Sequence, residues 1–356
     1  MVLHILIVGG GIAGLATALA LRRAGHHVQV FEKSHLTPAD TAGPVVHIGP
    51  RSNELLRSWG IDEKLASGVL INKIEGFALD GTRKESDADS PPGWMYYERG
   101  RLHQALRSAA TAATGSGVTV ELHVGAEAIS VDNDSASITL SDGKVFKGDA
   151  IVGADGFGSA VRNAITTFDT VDITDQRVAV QVSVHAQSGP LTERFQGQPL
   201  RYEKWNGNGL ELNVYSVEPG QLLFDCTLPK EATAEPSAAS IKSKLIQAFG
   251  HEHSDLAQVL TTVNTVVEIQ FWTQDEYPRI QTWTSDKVVL VGDAAHPFLP
   301  HELPGTSQAL NDAAALASEL SADVKADEVR GRLVAWEGPR KERLRTLPCF
   351  YATVCQ

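Results

Sequence analysis

Residues 5–33 read ILIVGGGIAGLATALALRRAGHHVQVFEK, and the order of residue types in them decides the fold. A β-branched run ending at Val8 breaks at Gly9-Gly10-Gly11, and apolar residues then keep helical spacing through Leu15, Leu19 and Leu21. A second short strand, Val28 to Phe31, ends in Glu32. Gly9, Gly11 and Gly14 fit the G-x-G-x-x-G pattern of a nucleotide-binding strand–turn–helix. The first glycine permits the tight turn, the second lets a pyrophosphate approach the backbone, and the third lets helix and strand pack closely. Phosphates then rest on the unpaired N–H groups of the helix start, where the dipole favours negative charge. Glu32 stands about 20 residues beyond the glycines, where an acid accepts hydrogen bonds from ribose hydroxyls. The pattern predicts a dinucleotide site, and alone it does not separate NAD from FAD.

Outward from this unit the chain changes character twice. A Pro- and Gly-bearing loop, Thr37 to Pro44, leads to an extended piece, Val45 to Ile48, and to a helix from Pro50 that Gly60 stops. Ile71 to Ala78 reads as a strand, Asp80 to Gly93 as a solvated loop, and Glu98 to Leu102 leads into a helix through Leu106 to Ala113. An alternating strand is expected over Val118 to Leu122, and Asp142-Gly143 marks a hairpin. DAIVGADGFGSAVR, residues 149–162, pairs a buried strand with an Asp-Gly turn and a helix start. From about Val178 to Val267 alternating strands dominate, with one helix at Ile241 to Phe249. KVVLVGDAAHPFLP, residues 287–300, restores the first style, followed by helices over Ser307 to Leu320 and Val329 to Arg345. The fold class is therefore α/β, a Rossmann-like three-layer nucleotide-binding domain with an inserted antiparallel β-sheet domain and C-terminal helices. The expected division is 1–175, then the sheet domain 176–270, then a return to the first domain over 271–356. A ligand gripped between the layers would meet loops from both.

Bulk properties set limits. A chain of 356 residues with 42% apolar and 21% charged residues suits a globule with a sizeable core. A net charge of −12 argues against nucleic acid or an acidic membrane as partner. The longest apolar stretch, Ile5 to Leu21, is broken by glycines and reads as neither a membrane span nor a signal peptide. Cys226, Cys349 and Cys355 are scattered without metal-ligand spacing, so neither a metal site nor a disulfide framework is expected, and the expected address is cytoplasmic.

The opening fingerprint, GADG at Gly153 to Gly156, VGDAAHP at Val291 to Pro297, and Arg99 in its R-x-x-L segment stand in one order along the chain. Together they resemble the FAD-dependent aromatic hydroxylases, the single-component flavoprotein monooxygenases of the p-hydroxybenzoate and salicylate hydroxylase kind. The resemblance runs from Leu3 to about Arg345 and implies FAD as cofactor, NAD(P)H as reductant, and O2 and a small aromatic substrate as partners. It implies that Glu32 holds the adenosine ribose, that Arg99 contacts the cofactor near its phosphates, and that Asp293 accepts hydrogen bonds from the ribityl chain. Asp155-Gly156 would support flavin and nicotinamide, and Gly305 and Thr306 would face the pyrimidine end of the isoalloxazine. Val45 would add a backbone contact. Gly9, Gly11, Ala13, Gly14, Lys33, Gly292, Pro300 and Ser307 complete the implied cofactor set. The implied chemistry is hydroxylation of a phenolic, polyketide-like or alkaloid-like ring by a C4a-hydroperoxyflavin, which survives only where water is excluded. The antiparallel sheet is the expected roof.

His47, in VVHIGP, is read as base or proton shuttle, and Tyr215, in NVYSVEPG, as the residue that orients the substrate ring. The plainer readings are a solvent-facing strand histidine and a sheet-core aromatic. His296 is expected to brace the Asp293 turn, and His301 and Glu302 to border the flavin edge or simply to be solvated. His251-Glu252-His253 is read as surface loop, and Asp323 to Glu328 as a solvated connection.

The sequence departs from the family at Leu303-Pro304-Gly305, where relatives read Gly-Gln-Gly, and proline removes a backbone donor there. Gln181 stands where relatives often carry an arginine. Family members commonly continue past the position of Gln356, so a thinner C-terminal cover is expected. Two rival readings stand beside hydroxylation: a flavin oxidase or dehydrogenase on the same fold, and a catalytically impaired flavin-binding protein.

Overall fold

The computed structural model describes residues 1–41, 45–71, 73–84, 93–166, 169–172, 177–185, 193, 201–207, 210–218, 221–229, 238–249, 271–272, 276–297 and 305–346. Its first sheet runs, edge to edge, Thr284–Ser285, Val288–Leu290, Ala150–Gly153, His4–Val8, His27–Glu32 and Glu121–Val124. All neighbours pair in parallel except the hairpin of Thr284–Ser285 with Val288–Leu290. Parallel strands are buried on both faces, which is why Ile5 to Val8, Ala150 to Val152 and Val288 to Leu290 read as continuous apolar runs. These strands are the centre of the core.

The helix Ile12–Arg23 is buried nearly all round, because it lies against the sheet and against the helices Arg99–Thr111 and Gly305–Glu319. Its small residues, Gly14, Ala16, Ala18 and Ala20, let those neighbours approach. Arg22 is buried with it and donates to the carbonyls of Ala109, Ala110 and Thr114 at 2.9–3.2 Å. A guanidinium at that helix C-terminus satisfies carbonyls that have no partner within the helix.

The second large sheet runs Phe271–Trp272, Arg177–His185, Gln221–Pro229, Leu210–Glu218, Arg201–Gly207 and Lys73–Ala78. It is antiparallel except at its last edge, where Lys73–Ala78, contributed by the first half of the chain, pairs in parallel with Arg201–Gly207. A three-stranded sheet of Val45–Ile48, Met95–Glu98 and Val69–Leu70 stands beside it. The hairpin at Asp142-Gly143 joins Ser137–Leu140 to Val145–Lys147.

Two local expectations are corrected. Val118 to Leu122 was expected to form a strand, but the strand is Glu121–Val124. Val118 to Val120 instead lies along the end of the helix Arg99–Thr111, where the Thr119 hydroxyl and the Val120 N–H reach the carbonyls of Ala112 and Ala110. The expected loop from Thr37 holds a single helical turn, Pro38–Thr41. Thr37 and Asp40 form a reciprocal cap, with N–H to Oδ2 at 2.8 Å and N–H to Oγ1 at 3.3 Å, and proline suits the first helical position.

Candidate active site

The glycine turn is fixed on every side but one. Gly9 has φ +106°, and a Cβ there would collide with the Ala154 carbonyl. A Cβ on Gly14 would strike the Gly9 carbonyl. Gly10 donates its N–H to Glu32 Oε2 at 2.7 Å, and its carbonyl accepts from His103 Nε2 at 2.7 Å. His103 is buried, and desolvation first among several causes holds its imidazole below the ordinary value. It therefore donates as the neutral Nε2–H tautomer. Gly11 differs from its neighbours: a Cβ there would meet nothing within 4 Å. The helix it caps has no side-chain cap and no acid in its first turn. An open space thus lies before an uncapped helix N-terminus.

Two other turns close on this space. Gly153 to Gly156 follows the central strand, beside Gly9. The Asp155 carboxylate accepts from the N–H groups of Ala160 and Val161 at 2.7 and 3.1 Å, capping the helix Ala160–Ile165. The third turn begins at Gly292, φ +59°, where a Cβ would stand 2.8 Å from Ala13 Cβ. Arg162 Nη1 donates to the Ala294 carbonyl at 3.1 Å and so ties the second turn to the third. Beneath the third turn, Asp312 Oδ2 accepts from the Gly292 N–H at 2.9 Å and from His296 Nε2 at 2.6 Å. Arg340 Nε donates to Asp312 Oδ1 at 2.8 Å, and its Nη2 pairs with the same oxygen at 2.6 Å while donating to Gln308. Burial acts to raise the Asp312 carboxyl, but His296, Arg340 and these hydrogen bonds outweigh it and hold it below the usual range.

Asp293 itself opens to solvent at the crevice although protein crowds it from most directions. That crowding raises its carboxyl, with Asp312 adding to the rise and His296, Arg99 and Arg162 opposing it. Arg99 is thus within electrostatic reach of Asp293, and its Nη1 donates to the Thr41 carbonyl at 3.1 Å.

The cradle suits a dinucleotide. Anion-binding N–H groups, an acid at the second strand end and an open carboxylate at the third turn converge on one crevice. The family model described as "FAD binding domain" matches residues 3–349. The chain belongs to that family.

Curated relatives of this FAD-binding chain include hispidin-3-hydroxylase of Neonothopanus nambi, 27% identical over 368 residues, covering 96% of this chain and 86% of that protein. Aurachin C monooxygenase/isomerase of Stigmatella aurantiaca is 30% identical over 356 residues, again covering 96% and 86%. The tetrameric form of 2-methyl-3-hydroxypyridine-5-carboxylic acid oxygenase shares the fold with a TM-score of 0.79 at 24% identity, over 99% of this chain and 91% of that one. The protein is an FAD-dependent monooxygenase by family, with FAD as its cofactor.

In this flavoprotein the expected cofactor residues fall into groups. Gly9, Gly11, Ala13, Gly14, Glu32, Gly292 and Asp293 surround the crevice. Glu32 also braces the turn, since its two oxygens accept from the N–H groups of Gly10 and Ser34; a carboxylate has lone pairs to spare for ribose hydroxyls. Asp155 also braces its own turn, since its carboxylate accepts from the N–H groups of the following helix. Lys33 stands exposed just past the second strand. Ser307 is buried, and its hydroxyl accepts from the Gly49 N–H at 2.9 Å, so its side chain clamps helix to strand while Gly305 and Thr306 begin the helix. Val45 packs beside Tyr215 and Tyr96. Pro300, His301, Glu302 and Pro304 lie outside the described residues, as do His251, Glu252 and His253.

The candidate substrate residues meet. His47 Nε2 lies 3.0 Å from the Tyr215 hydroxyl, and the rings cross edge-on at 5.2 Å. Both are buried, at 8% and 2% exposure, which sets aside the solvent-facing reading of His47. Burial lowers the His47 imidazole from 6.5 to about 4. Burial thus keeps the imidazole neutral, the form in which it can accept a proton. His103, Arg162, Asp312 and Arg340 were missed as supports of the site. Each is a polar residue on a helix, and only its place in the fold reveals what it holds.

Proposed function

We propose that this protein is an NAD(P)H-dependent monooxygenase that places one oxygen atom of O2 on a small phenolic or polyketide-like ring held beneath the second sheet. The observation that carries the reading is the hydrogen bond between His47, on a strand clamped to the Gly305–Glu319 helix start, and Tyr215, on the roof. It joins the cofactor crevice to the sheet through the groups suited to a phenol. When bound, FAD supplies reduction by nicotinamide and activation of oxygen. Gly9, Gly11, Ala13, Gly14, Glu32 and Asp293 hold it, with Arg99 near the phosphates and the helix from Gly305 favouring negative charge at the pyrimidine end. Tyr215 orients the ring, and neutral His47 accepts the hydroxyl proton and returns it. The middle region, residues 176–270, serves as the substrate half, with Lys73–Ala78 lent to its edge. A cytoplasmic address belongs to the same reading; among the described residues no helix is long and apolar enough to cross a membrane.

The test is a screen of phenols with FAD-loaded protein, following NADPH oxidation, oxygen uptake and product mass. A product heavier by one oxygen, formed in step with NADPH use, supports the reading. Peroxide as the sole product across the screen would assign the protein to the oxidases.

A further inference from the structure

The second sheet presents two faces of opposite chemistry. Trp205, Leu212, Val214, Leu222, Phe224 and Cys226 alternate onto one face and are at most 1% exposed. The other face carries Tyr215 and Leu223, which pack with Ile71 and Tyr96 and so look toward the cofactor half. One step along the strands from the Tyr215–Leu223 pair, the register sets Lys204, Asn213, Asp225 and Gln181 in one row across four strands. Gln181 enters only as a register position, since its side chain lies outside the described residues. Diagonal neighbours on one face of such a sheet stand about 7–8 Å apart, so Asp225 borders the ring of Tyr215. The cation of the row, Lys204, is held by Glu211 at 3.0 Å, and Asn213 Nδ2 leans on the same carboxylate at 3.3 Å. Among the described residues, the row therefore meets an incoming ring with the carboxyl of Asp225.

We propose, on the footing of the monooxygenase reading above, that Asp225 determines specificity by selecting rings that bear a hydrogen-bond donor or a basic nitrogen and by excluding aromatic carboxylates. Asp225 is half-buried, and desolvation, aided by Glu211, pushes its carboxyl up to about 7. A donor or cation relieves that cost, whereas a second carboxylate beside it adds to it.

The experiment compares meta-substituted phenols of similar size: 3-hydroxybenzylamine, 3-aminophenol, 3-methylphenol and 3-hydroxybenzoate. Their dissociation constants are read from the change in flavin absorbance of the FAD-loaded protein. The two nitrogen-bearing probes are expected to bind at least about tenfold more tightly than 3-hydroxybenzoate, and Asp225→Asn to shrink that gap below about threefold. Tight binding of 3-hydroxybenzoate, or an unchanged gap in an Asp225→Asn protein of normal flavin content, would overturn the proposal. Should Asp225→Asn fail to hold FAD, Asn213→Asp adds a carboxylate to the row and must widen the gap; no widening is equally fatal. A wild-type protein that refuses FAD sinks the functional reading together with this one. A flavoprotein that hydroxylates but prefers hydroxybenzoates sinks this one alone.

Discussion

The carboxylate of Asp312 accepts the backbone N–H of Gly292 at 2.9 Å while Arg340 holds its other oxygen at 2.6 Å. The turn bearing Asp293 is therefore suspended from a buried ion pair that draws on both C-terminal helices. Replacing Asp312 by Asn leaves Arg340 buried without its counter-charge, which costs about 3–5 kcal/mol. Thermal unfolding of Asp312→Asn should fall accordingly, and FAD should dissociate faster from whatever remains folded. An unchanged melting temperature would show that the pair is not holding the turn.

Gly11 and Gly14 separate binding from folding. Gly11 has φ −73° and open space before it, so Gly11→Ala should fold as stably as the wild type. The added methyl occupies the space for the pyrophosphate, and FAD affinity should drop by roughly a hundredfold or more. Gly14→Ala drives a methyl into the Gly9 carbonyl and should yield little folded protein. Circular dichroism and flavin titration of the two variants check both outcomes.

Asp155 caps a helix, so Asp155→Ala should cost about 0.5–2 kcal/mol of stability. Flavin absorbance should survive in that variant. Complete loss of FAD from a folded Asp155→Ala protein would show that the carboxylate holds the cofactor as well as the helix.

His47 ties activity to pH in an unusual direction. Its folded value of about 4 lies below its ordinary 6.5, so the folded state resists a proton that the unfolded chain accepts. Its contribution to stability is complete above pH 6.5 and is lost as pH falls toward 4, by about 1.4 kcal/mol per pH unit between those limits. Denaturant midpoints measured across this window should fall more steeply for the wild type than for His47→Gln. Loss of the imidazole should also lower hydroxylation by roughly a hundredfold, with flavin reduction largely kept. Stopped-flow reduction beside product analysis distinguishes the two steps.

Legibility in the sequence followed from period and punctuation. The first strand–turn–helix, the central strand at Ala150 and the helix Val329–Arg345 all announce themselves by apolar runs, helical spacing or glycines. Lys73–Ala78 reads as a strand, but nothing local reveals that it crosses to Arg201–Gly207, because pairing partners distant in the chain leave no periodic mark. His47 and Tyr215 each stood out by residue type and family position, yet their 3.0 Å contact spans 168 residues and belongs to the fold alone. Asp312 and Arg340 sit inside helices whose pattern shows only which positions are apolar. A charged residue on the inner face looks like any other until its partner is placed.

The crossing of Lys73–Ala78 to the far sheet bears on how the molecule assembles during synthesis. This segment leaves the ribosome well before the strand it must join, and until then its backbone donors and acceptors are available to other chains. Excising residues 176–270 as an independent piece would leave the matching border of Arg201–Gly207 bare and prone to aggregate. The second sheet is thus committed to maturing together with the first half of the chain, which lends it its last strand.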